Sequence, residues 1–241
     1  MKWAAVVVAA GRGTRLHGPK QLINLAGLPM VGWSLKLFAT MPEIVELVVA
    51  TEPESLEPIR SLLTELAPEC AARVVRGGAI RQQSVYEGLR SVSSEVEGVL
   101  VHDGARPLVS AADVRAGMGE TRAGRAALLA TPVVDTIKTV NPQSLRVGTT
   151  LDRRTLWAAQ TPQFALTAEL RAAHERARRE GIEATDDAAL LERIGIEVVV
   201  VPSTGENFKV THPADVARAH AILAARCHPE PAPCHPEPVE G

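Results

Sequence analysis

The chain is 241 residues long, enough for one sizeable α/β core and marginal for two. Apolar residues make up 46% of it and charged residues 22%, a balance that excludes a fibrous repeat or a chain disordered throughout. A formal charge of -2 excludes a global attraction to nucleic acid or to an anionic membrane, so any basic cluster acts locally.

The opening "MKWAAVVVAA" has the makings of a leader, but Arg12, Arg15 and Lys20 follow the apolar run directly, where a leader would continue toward its cleavage site. No apolar run nears the ~20 residues of a membrane-spanning helix. Cys70 stands alone in the body and the other cysteines fall in the tail, which is no disulfide framework and suits a reducing compartment. A cytoplasmic protein that engages neither membrane nor nucleic acid is expected.

In chain order, apolar β-branched runs at 3–9, 45–51, 72–76 and 98–103 alternate with segments of helical period at 29–41, 55–66, 80–92 and 110–122. Continuous apolar strands interleaved with helices predict a parallel sheet covered on both faces. Ser110, with Asp113 three residues on, predicts a helix N-cap. Over residues 135–155 the pattern turns to alternating polar and apolar residues around "NPQS", a projecting β-hairpin. Helices at 168–180 and 186–193, a strand at 196–201, a loop at 202–213 and a last helix at 213–225 follow. The tail repeats Cys-His-Pro-Glu-Pro; it is too rich in proline for a helix or an inner strand, and its Cys-His pairs do not have zinc-site spacing. The expected organisation is one domain over 1–226, with an arm at about 134–156 and a disordered tail at 227–241.

The stretch "AAGRGTRLHGPKQ", Ala9 to Gln21, follows the first strand. Gly11 and Gly13 let main-chain amides approach an anion at the carboxyl edge of such a sheet. The spacing is neither a P-loop nor a full dinucleotide fingerprint, since Leu16 stands at the third glycine position. By itself it is equally a glycine turn with solvated cations.

Further motifs follow in order: "GGAIRQQSV", "VHDGARP", "PVVDTIK", "DRRTLW", "QTPQ", "TDD" and "NFKVTHPAD". Together with the opening loop, over about residues 3–225, they resemble the 2-C-methyl-D-erythritol 4-phosphate cytidylyltransferase family. The resemblance implies a Rossmann-like α/β nucleotidyltransferase fold: a mostly parallel sheet with helices on both faces and a projecting β-arm. It implies transfer of a cytidylyl group from CTP to 2-C-methyl-D-erythritol 4-phosphate, with release of pyrophosphate and with Mg²⁺ as cofactor, in the non-mevalonate isoprenoid pathway.

By the same resemblance, Arg15, Lys20 and Lys209 are the catalytic cations. Ala9, Ala10, Gly11, Gly13, Thr14, Gly78, Ser84, Asp103 and Gly104 bind the nucleotide. Asp103, at the end of a buried strand, also offers Mg²⁺ a hard oxygen ligand; otherwise it caps the next turn. His102 is expected to pack or hydrogen-bond. Ala79 stands where the family often carries Asp, leaving base selection more to main chain. Arg153, Thr161 and Thr185 match acceptor-binding positions. Thr136 and Arg106 match positions that reach a neighbouring subunit's site, which implies a homodimer. Asp135, Lys138 and Asp186 are otherwise ordinary arm and helix-cap residues. Two rival readings remain: a ribitol 5-phosphate cytidylyltransferase on the same fold, and a non-catalytic nucleotide-binding protein.

Overall fold

The computed structural model describes residues 1–11 and 20–227. In chain order it contains β1 (Trp3–Ala9), the two-residue strands β2 (Asn24–Leu25) and β3 (Leu28–Pro29), α1 (Met30–Ala39), β4 (Ile44–Thr51), α2 (Leu56–Leu66), β5 (Ala71–Arg76), α3 (Arg81–Ser91), β6 (Gly98–Asp103) and α4 (Ala111–Glu120). There follow β7 (Arg125–Pro132), β8 (Lys138–Val140), β9 (Val147–Thr150), β10 (Trp157–Leu166), α5 (Thr167–Glu180), α6 (Asp187–Arg193), β11 (Glu197–Pro202) and α7 (Pro213–Cys227).

The main sheet runs β11-β7-β10-β6-β1-β4-β5. Within it β10 alone is antiparallel to its neighbours. The period of two along β1 divides the core. Trp3, Ala5, Val7 and Ala9 meet α1 and α2 residues such as Leu35, Phe38 and Ile59 on one face. Ala4 and Val6 meet Val85 and Leu89 of α3 and Leu170 of α5 on the other. Both faces are thus dry, which is why β1 reads as an unbroken apolar run. Helix α5 buries Leu170, Ala173, His174 and Ala177, one stripe at helical spacing. It ends at Gly181, whose φ of 65° is left-handed and suits glycine. The Ser110 side chain accepts the Asp113 N–H at 3.0 Å, the expected cap of α4.

Two strands of the sheet carry no clear strand signal in the sequence. Strand β7 is rich in Ala and Leu, which favour helix as readily. Strand β10 contains Pro162, accommodated at a register irregularity between Ala159 and Gln163, the position in a strand that tolerates proline. Helix α7 runs through Cys227, past the expected end near 225. The rest of the tail, with Cys234, lies outside the described residues.

The arm is a hairpin in which β8 and β9 pair antiparallel, Lys138 with Thr150 and Val140 with Val147. Asn141 Oδ1 accepts the Gln143 and Ser144 N–H groups at 3.0 and 2.9 Å and holds the turn. Its apolar side chains find little of their own chain to cover them: Val134 is 80% exposed, Leu145 77% and Val147 62%.

Chain order passes from β1 to β4 and β5 on one side, then returns to β6 on the other side of β1. The carboxyl ends of β1 and β6 therefore flank a topological switch point, where ligands of open α/β sheets sit. Among the described residues no helix is long and apolar enough to cross a membrane.

Candidate active site

Strand register brings the site together. Val8 lies beside Asp103, Ala9 beside Thr51 and Thr51 beside Arg76, so β1, β4, β5 and β6 end along one edge. The residues that follow wall a cleft of about 560 Å³: Ala10 and Gly11 after β1, Gly77 and Gly78 after β5, Gly104 after β6.

Gly77 sets the width of this cleft. A Cβ there would lie 2.6 Å from Ala10 Cβ and 2.9 Å from Ser84 Oγ, closer than atoms can approach. The loop of Gly77 and the loop after β1 therefore meet wall to wall only because a side chain is missing. Ser84 Oγ accepts the Gly78 N–H at 3.1 Å, and Gln83 Oε1 accepts the Ala79 N–H at 2.9 Å, so the loop is held by the first turns of α3.

Asp103 closes β6 and is nearly buried. Its Oδ1 accepts Arg81 Nε at 3.0 Å and its Oδ2 accepts Lys209 Nζ at 2.7 Å. Burial pushes this carboxyl upward, but the Arg81 guanidinium and the Lys209 ammonium outweigh it and hold Asp103 well below the usual carboxylate range. Arg81 also reaches Asp187, Nη1 to Oδ2, at 2.8 Å. Lys20 Nζ donates to the Val210 carbonyl at 3.3 Å, which sets it beside the loop that carries Lys209.

A hydrogen-bonded relay beneath the cleft locates Lys209. The Asp103 N–H donates to Thr161 Oγ1 at 3.0 Å, and Thr161 Oγ1 lies 3.2 Å from His102 Nδ1. His102 Nε2 lies 3.1 Å from the Arg106 carbonyl. With Thr161 donating to Nδ1 and Nε2–H donating to Arg106, one neutral tautomer satisfies every contact. Burial pushes the His102 pKa down to about 4 against the pull of Asp103, consistent with that neutral ring. Arg106 Nη1 then donates to the Asn207 carbonyl at 2.7 Å. Asn207 Nδ2 donates to Gln160 Oε1 and to the Thr161 carbonyl, both at 2.9 Å. The segment carrying Lys209 is thereby tied to β10.

Of the residues expected to bind nucleotide or act on it, Ala9, Ala10, Gly11, Lys20, Gly78, Ser84, Asp103, Gly104 and Lys209 all line this cleft. Gly13, Thr14 and Arg15 lie outside the described residues. The acceptor-side positions do not line it. Thr136, Arg153 and Thr185 are exposed, with Arg153 Nη1 donating to the Val134 carbonyl at 2.6 Å at the base of the arm. Thr161 is buried beneath Asp103, in the relay rather than in the open cleft, and Arg106 is half-buried in the same relay. His102 is the buried, hydrogen-bonded residue expected, and Asp186 caps α6 by accepting the Ala189 N–H at 3.0 Å. Sequence reasoning missed Arg81 and Arg76, which also line the cleft. An arginine after a glycine pair reads as a solvated helix start, and Asp187, the partner that draws Arg81 inward, is 106 residues away.

Main-chain amides, glycines and cations gathered at a switch point suit a polyanionic nucleotide, and on this sheet they define the nucleotidyltransferase class. The family model for 2-C-methyl-D-erythritol 4-phosphate cytidylyltransferase matches residues 3–225, and the chain belongs to that family. A relative of that name from Gloeobacter violaceus is 41% identical over 230 residues, 95% of this chain and 99% of the relative. The crystal structure of 2-C-methyl-D-erythritol 4-phosphate cytidylyltransferase from Thermus thermophilus superposes with a TM-score of 0.74 at 35% identity, covering 92% of this chain and 98% of that one. That of 4-diphosphocytidyl-2C-methyl-D-erythritol synthase from Anaerococcus prevotii gives 0.80 at 27% identity, with the same coverage.

Proposed function

We propose that this protein transfers the cytidylyl group of CTP to 2-C-methyl-D-erythritol 4-phosphate, giving 4-diphosphocytidyl-2-C-methyl-D-erythritol and pyrophosphate. The observation that carries this reading is the convergence of Lys20, Lys209 and Arg81 on one glycine-walled cleft from three separate parts of the chain. The acceptor's phosphate monoester has a second pKa of about 6 and is already a nucleophilic anion at neutral pH. No general base is needed. A phosphate oxygen of the acceptor bonds to the α-phosphorus while the bond from that phosphorus to the α,β-bridging oxygen breaks, and pyrophosphate leaves with the electron pair. The barrier is repulsion between polyanions, which fixed cations and amides lower. Lys209 and Lys20 neutralise charge around the α-phosphorus and the leaving group, with Arg15, outside the described residues, as the third cation by the family resemblance. The main chain at Gly77 and Gly78 receives the base, where close approach of backbone favours the smaller pyrimidine ring.

The donor set suits Mg²⁺ carried in with the nucleotide. Asp103 is a carboxylate that Arg81 and Lys209 hold in its ionised form, and its oxygens each accept one donor and retain further lone pairs. Among the described residues there is no cluster of three or more metal-ligating side chains, consistent with a cation that takes most of its ligands from phosphates and water. The bound ion would neutralise phosphate charge. A homodimer is supported by the uncovered arm, whose partner would receive Thr136 and complete an acceptor site with Arg153 and Thr185. A cytoplasmic location accords with the lone Cys70 of the body, which is unpaired.

Pyrophosphate release measured with CTP alone, with CTP and 2-C-methyl-D-erythritol 4-phosphate, and with CTP and ribitol 5-phosphate tests the proposal. Release that depends on the methylerythritol phosphate is expected. Preference for ribitol 5-phosphate, or no release with either acceptor, overturns it.

A further inference from the structure

A file of charged groups runs inward from the cleft. Lys209 meets Asp103 at 2.7 Å, Asp103 meets Arg81 at 3.0 Å, Arg81 meets Asp187 at 2.8 Å, and Asp187 Oδ1 meets His174 Nε2 at 3.0 Å. Its inner members are deeply buried: the side chain of Asp187 is 2% exposed and that of His174 is wholly enclosed. Neither lines the nucleotide cleft. Buried ionic groups are costly to desolvate and are weak contributors to stability, so their arrangement asks for another explanation.

The geometry points to Asp187 and His174 as positioning residues for the transfer reaction, acting through Arg81. This rests on the cytidylyl-transfer reading above. Arg81 has one carboxylate on each side: Nε donates to Asp103 and Nη1 to Asp187. Two such anchors fix the plane of the guanidinium, where one would leave it free to swing. Asp187 is itself set in place, because Gln163 Oε1 accepts the N–H groups of Asp187 and Ala188, both at 2.9 Å. The preceding loop is stitched to α3 by Gln82, whose Oε1 accepts the Ala184 N–H at 2.9 Å. On the far side His174 Nε2–H donates to the second carboxylate oxygen of Asp187, and the ring stacks on Tyr86 with centroids 6.5 Å apart.

The consequence falls on Lys209. To meet a nucleotide phosphate its ammonium must leave Asp103. It does so at little cost while Arg81 continues to neutralise that carboxylate. If Arg81 swings away, Lys209 becomes the chief counter-ion of a nearly buried Asp103 and is held back from the phosphate. Loss of the inner pair should therefore slow turnover while the glycine walls continue to take up CTP.

The test compares His174→Leu, which removes the donor, with His174→Gln, whose amide N–H reaches toward the place of Nε2. For H174L we expect kcat to fall by about tenfold or more with KM for CTP within about threefold of wild type, and H174Q to restore kcat to within about threefold. Crystal structures should show the Arg81–Asp103 contact opened in H174L and kept in H174Q. If H174L does not fold, Asp187→Asn carries the test, with the same loss in kcat expected. Wild-type kcat in the folded variant, equal losses in H174L and H174Q, or an unmoved Arg81 would overturn the inference. A wild-type enzyme with no transfer activity would count against the proposed reaction instead, and the positioning role would then be decided by the crystal structures.

Discussion

Lys209 Nζ lies 2.7 Å from Asp103 Oδ2 although 106 residues separate them. One end of this contact is nearly buried at the end of β6, while the lysine side chain remains 43% exposed. The pair thus joins a rigid strand end to a cation that stands at the solvent face of the cleft. That asymmetry lets the carboxylate hold a fixed place while the ammonium changes partner.

Replacing Lys209 with Ala should lower turnover with CTP by at least ~10²-fold, a loss of roughly 2.7 kcal/mol in transition-state stabilisation. Stability should change by less than ~1 kcal/mol, because a half-exposed ion pair contributes little to folding and Arg81 still faces Asp103. Steady-state rates beside thermal melts check both halves; near-wild-type turnover would remove Lys209 from the chemistry.

Gly77→Ala should widen or distort the cleft, since its Cβ would lie 2.6 Å from Ala10 Cβ. KM for CTP should rise by about tenfold, with a destabilisation of about 1–3 kcal/mol, the usual cost of overfilling a packed site. Titration calorimetry with CTP and urea unfolding measure the two effects. An unchanged affinity would show that the base does not use this wall.

Stability should fall on acidification from pH 7 toward pH 4 because of His102. Its folded pKa is pushed down to about 4, against about 6.5 in the unfolded chain. Between these values the unfolded state binds the proton and the folded state does not, so unfolding is favoured as pH drops through that window. The full effect is on the order of 3 kcal/mol, lost progressively below about pH 6.5. His102→Gln should flatten this dependence in urea titrations at pH 7 and pH 5; an equal slope in both proteins would exclude His102 as its source.

Removing the arm should weaken dimerisation and acceptor binding together. A two-stranded hairpin is marginal in water by itself, and Val140 and Val147 are 51% and 62% exposed. A variant with residues 137–151 replaced by a short turn should sediment as a monomer with a raised KM for the methylerythritol phosphate and a smaller change for CTP. A monomer with normal acceptor kinetics would refute a site shared between subunits.

Most of the sheet was legible because its strands obey a local rule. In β1, β4 and β6 both faces are buried, so apolar residues dominate, broken by Glu46 in β4 and by His102 and Asp103 at the end of β6, and a segment of clear helical period follows each. The hairpin of the arm and the Ser110 cap are local in the same sense. Strands β7 and β10 were not legible: a strand rich in alanine, or one carrying Pro162, becomes a strand only when its neighbours supply hydrogen bonds.

The cleft was likewise readable where its parts are strand ends and glycines, because Ala9 to Gly11, Gly77, Gly78 and Asp103 are marked by their place at or after the ends of apolar runs. The sequence by itself thus determined the α/β class and the glycine loops, and its resemblance to the family pointed to the cations at Lys20 and Lys209. Tertiary structure decided the partnerships: Thr161 lies beneath Asp103, Arg106 holds the segment that carries Lys209, and Arg81 is drawn between Asp103 and Asp187. The physical reason is range. Backbone period and turn chemistry act over a few residues and leave their pattern in the chain, whereas a buried charge is stable only beside partners that folding brings from far along it.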